Sequence, residues 1–189
     1  MCELLKIQEV QIDSLKVERV FEQSFYPYLE NIDPEKIDKI FNKVYFRFQR
    51  NCPEFRAILN RMYPPKDDVA FQKTEPVSEM TSSQLADFKK QKRFTYKEVD
   101  GEVTEVELKN DQWIDHFIDQ TFSKLRLEWI SDHKFQLTFI DSNNLSRSNF
   151  SFPGDKIIYK VLAKKEGYYL LSVNIEGQEE FEIFKLYFL

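Results

Sequence analysis

The stretch KLRLEWISDHKFQLTF, residues 124–139, alternates apolar and polar side chains twice, on either side of a Ser-Asp-His-Lys break. A β-strand turns successive side chains to opposite faces. Leu125, Leu127 and Trp129 therefore share one face of a strand, and Phe135, Leu137 and Phe139 share one face of the next. The spacing predicts a hairpin that covers an apolar interior. This is architecture rather than chemistry, because no set of nucleophile, base and metal ligands stands out anywhere in the chain.

The alternation extends outward in both directions. Downstream, residues 155–164, 168–175 and 180–188 read as strands, broken at Glu166-Gly167 and Glu176-Gly177. A three-residue loop over Glu176, Gly177 and Gln178 would pair the last two strands with Val173 opposite Phe181 and Leu171 opposite Ile183, apolar against apolar. Upstream, residues 93–99 and 102–108 flank Asp100-Gly101, which predicts a two-residue turn with positive φ at both central positions. Residues 113–118 suit a strand or one helical turn, and 141–154 read as polar and irregular. Seven or eight short strands joined by tight turns imply an antiparallel meander that forms a curved sheet or incomplete barrel.

The first third of the chain follows a helical period instead. Leu4, Ile7, Leu15, Val20, Phe21 and Phe25 predict a first amphipathic helix. Asp33-Pro34-Glu35 supplies a cap, a proline at the first helical position and an acid in the first turn, and Ile37, Ile40, Phe41, Val44 and Phe48 then recur at helical spacing. Pro53 kinks this second helix or starts a third that ends near Met62. Pro64, Pro65 and Pro76 mark a linker, and residues 81–90 fit a short helix capped by Thr81, Ser82 or Ser83. The fold class is α+β, with a helical unit at 1–63, a linker at 64–80 and an antiparallel β domain at 81–189.

Composition narrows the function. With 189 residues, 42% of them hydrophobic, the chain can bury a substantial core. A net charge of -5 argues against nucleic acid as a partner, since phosphate binding calls for a basic stripe. Residues 89–93, KKQKR, are too short for one and read as the solvated end of a helix. Only 4 glycines are present, and none lies in a phosphate-binding loop. No apolar run is long enough to form a transmembrane segment. Cys2 directly after Met1 fits a chain whose export signal has been replaced by an initiating methionine. Cys2 and Cys52 are too few for a zinc site and either pair with each other or remain buried thiols.

Two segments carry a resemblance. Cys2, the helices and the closing Arg50-Asn51-Cys52-Pro53-Glu54-Phe55 resemble helical segments of uncharacterised exported proteins of Bacteroidetes-type bacteria. Trp129-Ile130-Ser131-Asp132 leading into Phe135-Gln136-Leu137 is similar to a small β family from the same bacteria. The first resemblance implies a disulfide between Cys2 and Cys52 and a periplasmic or cell-surface location, with the cytoplasm as the alternative. In the second family a cysteine often stands where this chain has His133, so the disulfide expected there is absent. Neither resemblance implies an activity.

The remaining candidates are aromatic or titratable. Trp113, Trp129, Tyr159 and Tyr169 lie in the β part and are the ligand-binding candidates if the sheet encloses an apolar site; the competing reading is that they fill a packed core. His116 and His133 stand near acids but lack the three or four convergent ligands of a metal centre, and no metal or cofactor is expected. Glu102, Glu105 and Glu107 alternate on a strand, as on a water-facing side. The expectation is an exported non-enzymatic binding or interaction module for an apolar or amphipathic small molecule or a protein partner. The alternatives are a structural accessory of the cell envelope and, third, a hydrolase using acidic and histidine residues.

Overall fold

Asp33 caps α4 (Pro34–Asn51) by accepting a hydrogen bond from the Glu35 amide, and Pro34 occupies a position where a backbone N–H would be unpaired in any case. The helix stops where Pro53 forces Cys52 into an extended conformation, φ -122° and ψ 104°, and α5 (Pro53–Met62) starts afresh. Phe48 and Phe55, on either side of this corner, stack with ring centroids 4.3 Å apart. The structure is a computed structural model that describes residues 1–64, 69–98 and 100–188. It divides into two units, Met1–Pro64 and Pro65–Leu189.

In the helical unit the expected first helix is two helices, α1 (Cys2–Lys6) and α2 (Asp13–Ser24), followed by a single turn, α3 (Tyr26–Leu29). Each helix that flanks the break over residues 7–12 has its own tertiary anchor. Cys2 is bonded to Cys52, with Cα atoms 5.6 Å apart, and Leu5 is buried in one cluster with Phe48, Phe55 and Ile58, so α1 is held at the start of α5. Asp13, at the start of α2, takes two hydrogen bonds from Arg61 near the end of α5.

The second unit begins earlier than a linker over 64–80 would allow. β1 (Val69–Gln72) pairs with β9 (Phe181–Phe188), Glu79 donates its backbone N–H to the Leu162 carbonyl, and Met80 is buried in the core. α6 (Ser82–Lys90) is capped by Thr81, whose hydroxyl accepts from the Gln84 amide while the Gln84 side chain accepts from the Thr81 amide.

Eight strands then follow: β2 (Arg93–Lys97), β3 (Val103–Lys109), β4 (Gln112–His116), β5 (Phe122–Trp129), β6 (Lys134–Ser142), β7 (Lys156–Lys165), β8 (Tyr168–Ile175) and β9. Each is antiparallel to the next, and β9 pairs with both β8 and β2. The result is a closed eight-stranded barrel with β1 as an extra strand, which corrects the expectation of an open curved sheet or incomplete barrel. Closure depends on β9 sharing one edge between two neighbours, β1 at Phe181 to Phe184 and β2 at Tyr187 and Phe188. A hairpin-by-hairpin reading of sequence cannot register this pairing, because β2 and β9 lie at opposite ends of the barrel sequence.

Three local expectations also change. In the last hairpin Val173 faces Glu182 and Leu171 faces Phe184, one residue away from the expected register. The loop is longer than three residues because Asn174 organises it, donating from Nδ2 to the Gln178 and Glu180 carbonyls. A slip of one exchanges the faces, so Phe184 and Leu186 point inward in place of Phe181 and Ile183. At Asp100-Gly101 the strands pair as far as Lys97↔Val103, the Glu98 N–H bonds the Glu102 carbonyl, which is one residue more than a two-residue turn allows, and Gly101 has positive φ. Val99 lies outside the described residues. The two-residue turn with two left-handed residues occurs instead at Asn110 and Asp111, between β3 and β4. Finally, the stretch read as irregular contains α7 (Leu145–Phe150), capped by Asn144.

Candidate functional site

The two ends of the barrel differ. β5 starts at Phe122, whose N–H bonds the Asn143 side chain just before α7, and it ends at Trp129, which packs edge-on to Phe88 of α6 and beneath the Lys89 ammonium. The two short helices therefore close opposite ends. At the α6 end the interior is aromatic: Phe88 stacks on Phe94 at 5.4 Å and meets Tyr169 edge-on at 4.9 Å. Further in, Trp113, Phe135 and Tyr159 form a mutual stack with centroids 5.2 to 6.0 Å apart.

At the α7 end the interior is polar. Asp115 shares the inward face of β4 with Trp113 and accepts a 2.7 Å hydrogen bond from its indole Nε1–H. The Tyr96 hydroxyl, which also acts on the Asp115 carboxyl, accepts a 3.4 Å hydrogen bond from Arg147 Nη2. The same Nη2 donates to Glu98 Oε1, which accepts a second bond, 2.9 Å long, from the Thr104 hydroxyl. The Arg147 guanidinium also lies 5.4 Å from the centre of the Phe117 ring. The network runs from a mouth where Arg147 and Glu98 keep 34% and 25% of their side-chain surface exposed down to Asp115, which is 6% exposed.

The connection before β7 positions Arg147. Asn144 Oδ1 accepts from the Arg147 amide while its Nδ2 donates to Thr121 Oγ1, and Ser142 Oγ donates to the Phe122 carbonyl. These bonds fasten the start of α7 to the β4–β5 turn, so the guanidinium is placed by a cap rather than by a long strand. Electrostatics follow from this enclosure. Burial pushes the Asp115 carboxyl up to about 6, with Glu98 acting in the same direction, against the stabilising Arg147 charge, the Trp113 hydrogen bond and the Tyr96 hydroxyl. Burial likewise raises the Tyr96 and Tyr159 hydroxyls, so both are neutral donors at neutral pH.

The aromatic candidates from sequence belong to one cluster joined through Phe135 and Phe88, in two groups. Trp113 and Tyr159 stack beside the polar network, whereas Trp129 and Tyr169 pack edge-on to Phe88 of α6. Trp113 and Tyr169 are fully enclosed, and Trp129 is half-buried opposite Phe135. The histidines do not join the network. His116 is half-exposed and 3.7 Å from Glu107, and the His133 ring lies 3.4 Å from the Met80 carbonyl. Sequence reasoning missed Tyr96, Glu98, Thr104, Asp115 and Arg147. One signal was available: read as a strand, residues 112–116 place Asp115 on the same face as Trp113, an acid on an otherwise apolar side. For Arg147 there was none, because nothing local shows that its helix closes a barrel.

Comparison with family models, curated proteins and solved structures finds no match. Among the described residues no helix is long and apolar enough to cross a membrane.

Proposed function

We propose that the chain is an exported, non-enzymatic binding module whose site is the α7 mouth of the barrel, and that its ligand is a small amphipathic molecule. The observation that carries this reading is the cluster of Arg147, Glu98, Tyr96 and Asp115, in which Arg147 donates to Tyr96 and Glu98 at a partly open mouth and Asp115 accepts from Trp113 of the aromatic stack. A few convergent polar groups against an aromatic wall is the usual composition of a small-molecule site. A wholly apolar ligand fits less well, since Trp113, Phe135 and Tyr159 are in contact with one another and Phe88 fills the other end. The Cys2–Cys52 disulfide, together with the resemblance to exported Bacteroidetes-type proteins, supports export.

The chain carries its own reporters, because of its 2 tryptophans Trp113 bonds Asp115 of the polar cluster whereas Trp129 packs on Phe88 of α6. Decanoate, decanol and decyltrimethylammonium, each below its micelle concentration, should be titrated while the two indole N–H resonances are followed by NMR. At least one probe is expected to shift Trp113 saturably while leaving Trp129 in place, and Arg147→Gln should weaken that response about tenfold or more. If none moves Trp113, or if Arg147→Gln responds as the unsubstituted chain does, the mouth is not a ligand site. The filled aromatic half would then favour a structural accessory of the cell envelope.

A further inference from the structure

Glu54 stands in the first turn of α5, two residues beyond Cys52, which caps that helix and is 1% exposed. Its Oε2 lies 3.3 Å from Cys2 Sγ and 3.6 Å from Cys52 Sγ. The sulfurs of a disulfide carry no proton, so in the oxidised chain neither approach is a hydrogen bond. The other carboxylate oxygen faces Lys6 Nζ at 3.7 Å, and Lys6 is also paired with Glu3. The carboxylate is thus oriented by a lysine on one side and aimed at two sulfurs on the other. Among the described residues these three side chains form the only group of metal-ligating types whose donor atoms all lie within 4.8 Å of one another.

The spacing matches a particular chemistry. Around a tetrahedral Zn²⁺, with Zn–S about 2.3 Å and Zn–O about 2.0 Å, a sulfur and an oxygen ligand sit about 3.5 Å apart and two sulfurs about 3.8 Å apart. Both oxygen-to-sulfur distances already have this value. We propose that reduction of the Cys2–Cys52 bond opens a Zn²⁺ site made of two thiolates and the Glu54 carboxylate, with the fourth position left to water. A thiol or phosphine reductant supplies two electrons, two protons are taken up, and only the S–S bond breaks. Metal binding then releases the two thiol protons. Cys52 at the N-terminus of α5 favours its thiolate, and Cys2 is partly exposed, which gives the cation a way in. Leu5, Phe48 and Phe55 pack together independently of the bridge and hold α1 near α5 while the sulfurs part. The inference concerns the reduced chain and is independent of the barrel reading.

The test uses the full chain reduced with a phosphine and freed of excess reductant, its helix content checked by circular dichroism. Co²⁺ is titrated first and then displaced by Zn²⁺. The expected result is a near-ultraviolet thiolate-to-Co²⁺ charge-transfer band that saturates at one ion per chain, is absent from the oxidised chain and is lost on adding Zn²⁺. Glu54→Gln should weaken Co²⁺ about tenfold or more, and Cys52→Ser should remove the two-thiolate band. A folded reduced chain without the band would overturn the proposal. So would equal affinity in Glu54→Gln, or a reduced helical unit that is unfolded and that neither ion restores.

Discussion

Asp115 is the residue whose environment departs furthest from what its position in sequence suggests, since it is buried beside an indole in a barrel interior. Its folded-state pKa, about 6, lies above the ordinary carboxyl value of 3.8, so the folded chain holds this proton more tightly than the unfolded one. The associated stability is fully present below the unfolded value and is lost as pH rises through about 6. A shift of this size corresponds to roughly 3 kcal/mol. The β unit should therefore resist urea better at pH 5 than at pH 7.5, and Asp115→Asn should flatten that difference while keeping an acceptor for the Trp113 N–H. A wild-type urea midpoint that does not fall between these pH values would mean that Asp115 is not enclosed in solution. Glu75 acts in a separate window. Its hydrogen bonds from Lys134 and Lys160 hold its carboxyl below the usual carboxylate range, so that contribution is lost only as the solution becomes more acidic than pH 4.5. Of this residue-scale picture the sequence carried little beyond an acid two positions from a tryptophan, because a carboxyl's partners come from other strands.

Among the elements, helices were legible where a cap and an apolar period coincide. Asp33-Pro34 and Thr81 with Gln84 satisfy their own first-turn amides, and both helices begin where those residues place them. Thr81→Ala should destabilise the β unit by about 1 kcal/mol, read from its denaturation midpoint. Helices set by distant anchors were not legible. α1 is tied to Cys52 and α2 to Arg61, contacts that no local pattern announces. The bridge closes a loop with a sequence separation of 50. In the chain-entropy model a loop of that length is worth roughly 4 kcal/mol. The paired substitution Cys2→Ser with Cys52→Ser should lower the stability of the helical unit by up to about that amount while leaving the β unit's midpoint in place, as followed by the two indole fluorophores. The last hairpin makes the same point for strands. The expected register paired apolar with apolar over a tight loop, but it would have turned Lys185 and Tyr187 inward with Phe181 and Ile183. The observed register buries Phe184 and Leu186 and sends Glu182, which shares their face, to the polar end.

For the molecule as a whole, β9 is the closing element, bonded to β1, β2 and β8 at once. Leu186→Ala removes a fully enclosed side chain from the closing strand and should destabilise the β unit by about 2–5 kcal/mol, with faster amide exchange in both β2 and β8. Ile183→Ala, on the outer face, should have a much smaller effect. The opposite order would restore the register expected from sequence. The sequence by itself determined the α+β class, the helical first third, nearly every strand and the inward face of 124–139, because period and capping are local properties of neighbouring residues. Closure of the meander, the placing of α6 and α7 at its two ends and the meeting of Arg147 with Glu98 and Tyr96 came from tertiary contacts alone. Closure and convergence require residues about fifty to ninety positions apart to meet, as β2 meets α7 and β9, and no local pattern encodes which distant edge a strand will find.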